Sequence, residues 1–199
     1  LPNLKVFVPC DSLETEKITQ KIIDIKGPCY LRLGKSKCPI ITKKETPLEL
    51  GKANIIRFRN ENKNFIDAFD FYLSSNYKSE NEDIAIIACG IMVSEAMRAA
   101  YILKKEFNIE TRIINMPTIK PLDKEVLEKI AKEIEFVIVA EEHQIGGLGN
   151  WVAKAITGIE NKKTKKIKMI GIEDRFGKSG SSDNLLKYFK LNSENIVDI

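Results

Sequence analysis

From Asp83 onward, short apolar runs alternate with stretches of helical periodicity, and this alternation restricts the fold more than any other feature of the chain. Ile84–Cys89, Thr111–Met116, Phe136–Ala140 and Ile167–Ile172 are rich in β-branched side chains and read as buried strands. Between them, Val93, Ala96, Met97, Ala100, Ile102 and Leu103 line a helix ending near Asn108. A second buried stripe, Val126, Ile130, Ala131 and Ile134, belongs to a helix capped by Asp123, with Leu122 and Leu127 as a hydrophobic staple. Val152, Ala153, Ala155 and Ile156 give a third helix over Gly146–Gly158, and a last helix is expected at Asp183–Phe189. With 43% hydrophobic residues in a chain of 199, a sizeable core can be buried. Strands alternating with helices at this spacing predict a three-layer, Rossmann-like α/β domain with a mostly parallel sheet and room for one antiparallel edge strand.

Upstream lies a smaller unit. Lys5–Pro9 reads as a strand, and Asp11 with Glu14 three residues on forms a capping-box pattern for a helix whose buried side is Ile18, Ile22, Ile23 and Ile25. After Gly27–Pro28, Cys29–Leu33 is a second strand. Residues 1–35 thus make a βαβ unit that cannot close a core alone, the remnant of a second α/β domain. Because Leu1 is not a methionine and the first strand needs neighbours on both sides, the chain is expected to begin inside a larger protein. Residues 36–50, with Pro39 and Pro47, read as a linker, and 51–199 as the second domain, opening with the strand Ala53–Phe58. In the polar insertion Asn60–Asn81, the spacing of Phe65, Phe69 and Tyr72 predicts a short packing helix. Pro117–Pro121 reads as a rigid loop.

Composition removes several function classes. The 32 Lys+Arg against 28 Asp+Glu leave +4, with lysines spread along the chain and no aromatic-interleaved stripe, which argues against nucleic-acid binding. No apolar run approaches the roughly 18–20 residues that span a bilayer, so no membrane association is expected. Cys10, Cys29, Cys38 and Cys89 form no CxxC pair and no metal-ligand spacing, and read as reduced thiols of a cytoplasmic protein. His143 is the sole histidine, so a zinc site with ordinary ligands cannot be completed.

The loops expected at the carboxyl edge of the sheet are Gly90–Ser94, Pro117–Pro121, Glu142–Gly149 and Glu173–Ser182. Two readings of the glycine turn Gly146, Gly147 and Gly149 stand side by side. With His143, Lys120, Arg175 and Lys178 it would make an anion- or partner-binding loop; alternatively the glycines let a helix pack tightly on its strand. Glu141, Glu142 and His143 leave a strand in alternating directions, so at most two face one site, and His143 reads as a hinge or partner contact. No serine or cysteine nucleophile sits in a recognisable elbow.

Seven stretches in fixed order, VFVPCDSLET, GPCYLRLGK, LGKANIIR, IAIIACGIMVSEAMRAA, INMPTIKPLD, VAEEHQIGGLGN and GIEDRFGKSG, resemble transketolase: the end of its pyrimidine-binding domain followed by its whole C-terminal domain. The resemblance covers nearly the entire chain. It implies a dimeric enzyme that uses thiamine diphosphate and a divalent metal (Mg or Ca) to move a two-carbon ketol unit between sugar phosphates, in the pentose phosphate pathway. It also implies that the diphosphate, metal and activating glutamate belong to N-terminal and pyrimidine-binding regions outside this chain, so that this chain alone binds no cofactor, is inactive and serves a structural, dimerising role. By the same resemblance Lys35, where the family usually has arginine, contacts the substrate phosphate, with Arg32 close by; lysine keeps the charge and loses the bidentate fork. Deoxyxylulose-phosphate synthase and the β subunits of 2-oxoacid dehydrogenases share the layout, but their counterparts of EEHQIGGLG generally lack the histidine. From another class, an anion- or nucleotide-binding regulatory domain is the alternative that the glycine turn and DRFGKSG loop suggest.

Overall fold

The computed structural model describes residues 1–35, 37–60, 63–144 and 146–199, without the side chain of Gln144. Parts of the predicted linker, the Asn60–Asn81 insertion and the Glu142–Gly149 loop therefore lie outside the described residues.

The larger sheet is built from β3 (Asn54–Phe58), β4 (Phe69–Leu73), β5 (Ile84–Ala88), β6 (Thr111–Asn115), β8 (Phe136–Gln144) and β9 (Lys166–Ile172), in the order β4-β3-β6-β5-β8-β9. Successive strand residues point to opposite faces, so each strand feeds two cores. On one face Ile56, Ile86, Ile113, Ile138 and Ile170 pack with α2 (Met92–Phe107), α5 (Ser182–Tyr188) and α6 (Ser193–Val197). On the other, Ile55, Ile87, Ile114, Val137 and Val139 meet α3 (Lys124–Glu133) and α4 (Leu148–Thr157). This is the predicted three-layer α/β domain.

Three predicted elements need correction. The antiparallel strand is not at the edge: β3 runs against both β6 and β4, and β4 closes the sheet outside it. The helix expected from Phe65, Phe69 and Tyr72 is instead the strand β4 followed by a short 3-10 turn, Ser74–Asn76. Its five residues satisfy the open edge of β3 residue for residue, from Asn54 opposite Leu73 to Phe58 opposite Phe69. The aromatic spacing still has a packing role, because Phe65 and Phe69 stack edge-on at 5.2 Å and Phe69 meets Phe58 at 5.4 Å. The rigid loop Pro117–Pro121 contains a strand, β7 (Thr118–Lys120). It is recruited by the N-terminal unit, where β1 (Lys5–Phe7) pairs in parallel with β2 (Cys29–Leu31) and antiparallel with β7.

That three-stranded sheet, with α1 (Ser12–Ile22) between β1 and β2, sits on the carboxyl edge of the larger one. Val8 N–H donates to Pro117 O at 2.8 Å, and Gly90 N–H donates to Val8 O at 3.3 Å. Of the four isoleucines expected to be buried on α1 and after it, Ile18 is fully so, whereas Ile23 is 75% exposed. The N-cap Asp11 accepts from Glu14 N–H at 2.8 Å, but the Glu14 carboxylate reaches back to Cys10 N–H rather than to the cap residue itself. Its other oxygen accepts from Asn115 Nδ2 at 2.7 Å, tying α1 to the end of β6. Asp11 also holds the segment between β2 and β3, accepting from Ile41 N–H (2.9 Å), Thr42 N–H (2.7 Å) and the Thr42 hydroxyl.

Candidate functional site

In an open α/β sheet the carboxyl edge is where ligands are met. Here the N-terminal unit covers much of that edge, and what remains is a groove along the seam. A narrow cavity of about 70 Å³ is walled by Cys10, Arg32, Lys35, Cys38, Cys89 and Glu142, among others. It adjoins a wider one of about 500 Å³ that shares Lys35, Glu142 and Ser182 and is completed by the loop Gly177–Gly180.

The two cations taken from the GPCYLRLGK stretch behave differently. Arg32, half-buried, donates from Nη2 to the backbone carbonyl of Glu142 at 2.6 Å, clamping the segment after β2 onto the end of β8. Lys35 is exposed, lines both cavities and makes no ion pair among the described residues. Below them the thiols are poorly suited to act as nucleophiles. Burial, then the Glu14 and Asp11 carboxylates, push the Cys10 thiol well up. Burial and, next, Glu141 do the same for Cys89.

At the glycine turn, the helix start is served by the chain's own carboxylate. Glu141 is buried, its Oε1 accepts from Gly149 N–H at 3.2 Å, and a Cβ on Gly147 would lie 2.4 Å from its Oε2. A Cβ on Gly149 would meet Met169 Sδ at 2.8 Å. Both glycines therefore allow close approach, and the charge that a helix N-terminus attracts is already present. The packing reading of this turn accounts for Gly147 and Gly149; Gly146, at φ +130°, makes the bend before them. His143 is exposed on β8, within the irregular stretch between Ala140 and Gln144, and lines neither cavity of the groove. Arg175 stacks on Phe189 and Tyr188, at 4.9 and 5.3 Å to their ring centroids, and lines neither cavity of the groove.

Lys178, named from the sequence among the cations of the loop cluster, lies 4.3 Å over the Tyr188 ring and lines the wider cavity. Two features escaped the sequence. Glu142, not His143, is the member of the EEH cluster that enters the groove. The helix α6 is too short for periodicity to show; its start, Ser193 N–H, donates to the buried Glu95 at 2.9 Å.

Comparison with known proteins follows the same lines. The family described as "Transketolase, C-terminal domain" matches residues 74–196. A putative transketolase C-terminal section from Methanocaldococcus jannaschii is 38% identical over 99% of this chain and 54% of its own length. The transketolase of Homo sapiens is 27% identical over 99% of this chain and 28% of its own length. Among solved structures, a split-gene transketolase described as an inactive β4 tetramer superposes with TM-score 0.81 at 32% identity, covering 100% of this chain and 57% of that one. The chain spans about half the length of the first curated relatives it matches.

Proposed function

This chain belongs to the transketolase C-terminal-domain family, and on that premise we propose that it forms the C-terminal section of a thiamine-dependent ketol transferase acting on sugar phosphates. Residues 1–35 are then the end of a pyrimidine-binding domain, 36–50 the linker and 51–199 the C-terminal domain. The chemistry is supplied by N-terminal and pyrimidine-binding regions, on the same polypeptide or another, and the assembled enzyme is a dimer built on two such units.

The observation that carries this reading is the three-stranded sheet β2-β1-β7. Among the described residues no further strand pairs with the outer strand β2, and Tyr30 on it, Leu33 just after it and Ile23 at the end of α1 are 52%, 56% and 75% exposed. A run of exposed apolar side chains along an open edge is a surface made for another sheet segment. The relative solved as an inactive β4 tetramer supports a division of the enzyme between chains.

The residues present do not fit the cofactor. Among the described residues no group of three His, Cys, Asp or Glu side chains could hold a metal ion. The glycine turn, a phosphate-cradle candidate by sequence, has the Glu141 carboxylate at Gly147 and Gly149. No step is therefore assigned here to thiamine diphosphate or its metal. Lys35 is the residue of this chain proposed to contact substrate, through the phosphate; Arg32 positions the segment that carries it.

The test is reconstitution. The chain alone should show no ketol transfer and no heat of thiamine diphosphate binding by calorimetry, and mixing with a chain supplying the upstream regions should restore both. Ketol transfer by the isolated chain would end this reading. In the restored enzyme, Lys35→Ala should raise KM for phosphorylated acceptors with little change in kcat.

A further inference from the structure

Away from the groove, a cavity of about 350 Å³ opens between the end of β7, the start of α3 and the first turns of α4. It shares no residue with the two cavities of the groove. Its size falls in the range of small-molecule sites, which begins near about 300 Å³, and its wall has their composition, mostly apolar with a few polar groups. Ile119, Leu122 and Ala155 are half-buried, packed on the core beneath and lining the cavity above. Trp151, the sole tryptophan of the chain, stands in the same wall and is 50% exposed. An indole left half in water offers apolar area and a π-face that a flat ligand can cover.

The rim carries one sign of charge. Among the described residues Lys120, Lys124 and Lys154 line the cavity and no Asp or Glu does. Lys120 donates to the Leu1 carbonyl, and Lys154 lies 5.6 Å from the Trp151 ring centroid, so each meets a neutral partner and keeps its charge. Lys124 makes no ion pair among the described residues. The carboxylates nearest to it in sequence are engaged elsewhere: Asp123 accepts from Ala53 N–H at 2.9 Å, and Glu125 pairs with Lys52 and Lys129 at 2.7 and 3.3 Å. Farther along α3, Lys132 is answered by Glu128 at 2.6 Å, so the missing counter-charge is particular to the cavity and not a habit of this face. Three ammonium groups above an apolar floor attract an anion and repel a cation. We propose that this cavity is a binding site for a small aromatic carboxylate, its ring against Trp151 and its carboxylate on Lys124. The site is independent of the phosphosugar reading, since no group of the groove takes part in it.

The experiment titrates the full 199-residue chain with 2-naphthoate, and with 2-naphthylmethanol as its neutral counterpart, by calorimetry. Because the chain has one tryptophan, the single indole N–H resonance followed by NMR reports on this cavity alone. The acid should bind roughly tenfold more tightly than the alcohol, the value of one charge-assisted hydrogen bond, and both should move the indole resonance. Lys124→Ala should weaken the acid roughly tenfold and leave the alcohol unchanged. Lys124→Arg should retain most of the affinity. Trp151→Ala should weaken both ligands, and Lys35→Ala, in the groove, should alter neither. Absence of binding by the wild type, equal affinity for acid and alcohol, or heat without movement of the indole resonance each overturns the proposal. So does an affinity for the acid that Lys124→Ala leaves untouched. A cavity covered by a second copy of the chain gives the first of these results together with a dimer in sedimentation. Unchanged melting temperatures for the exposed Lys124 variants separate these outcomes from misfolding, and none of them bears on ketol transfer.

Discussion

At the amino edge of the six-stranded sheet, Arg57 and Arg112 lie buried against one carboxylate, Glu82, at 2.9 and 2.6 Å, with Glu110 and Glu133 completing the outer contacts at 3.0 and 2.6 Å. Tyr77 donates its hydroxyl to Glu82 as well. At the carboxyl edge the pairing is reversed in character. Among the described residues Asp11 and Glu14 are buried with no cation in an ion pair and are satisfied by backbone N–H groups and the Asn115 amide, while Lys35 faces the groove with no ion pair. Charges that answer one another inside the fold serve stability; charges left over at a seam are free to answer a ligand. The two edges of one sheet thus differ in how their charges are answered within the fold.

The comparison breaks most readily at Glu82. Glu82→Ala leaves two buried guanidinium groups without their shared partner and should cost about 3–5 kcal/mol in urea denaturation, the range for half of a buried pair. A loss near zero would mean that the amino edge is held by packing alone. Next comes Asp11→Ala, which removes the cap of α1 and the acceptor for Ile41 and Thr42; about 2–4 kcal/mol is expected, as buried N–H groups lose their partner. The same variant should release residues 41–42, read as faster amide exchange there with the amino edge unaffected.

Smaller effects separate the two glycines of the turn. Gly147→Ala drives a methyl into a carboxylate pinned to Gly149 N–H and should destabilise by about 1–3 kcal/mol. Gly149→Ala meets the Met169 thioether, which can yield, and should cost less, about 1 kcal/mol. The reverse order would show that Glu141 is not seated at the helix start.

The smallest effect is a slope with pH, and it has opposite sign at the two edges. Burial alone would raise the Glu82 pKa, but hydrogen bonds from Arg112 and Tyr77 and the attraction of Arg112 outweigh it and hold the carboxyl at about 2. Its contribution is present above the ordinary carboxylate range and is lost as pH falls toward 2. Burial raises Glu14, against hydrogen bonds from Cys10 and Asn115 that lower it. A raised carboxyl favours the fold most when protonated, so its contribution fades as pH rises through the folded value. Glu14→Gln should therefore gain stability relative to wild type as pH increases from 4 to 7, in denaturation curves at matched ionic strength. A flat difference would remove Glu14 from the account.

Much of the architecture was legible because it is written in local periodicity. The stripes Val126, Ile130, Ala131 and Val93, Ala96, Met97, Ala100 are buried as read, and the N-caps at Asp11 and Asp123 accept from Glu14 and Val126 N–H groups. The site was legible only in part. Lys35 and the DRFGKSG loop stand more than a hundred residues apart, and no sequence pattern brings Lys178 to the same cavity. Glu141 reads as one more member of an acidic cluster until its carboxylate is found under Gly149.

The sequence by itself determined the layers, the helix faces and the family, since each depends on residues a few positions apart or on ordered motifs along the chain. Tertiary structure alone decided that Phe69–Leu73 is a strand, that Thr118–Lys120 leaves its own domain's sheet to pair with Val6 and Phe7, and that β3 runs against its neighbours. Those choices turn on which backbone edges are left unpaired once the cores have formed, a condition met between segments tens to more than a hundred residues apart and invisible to any short window.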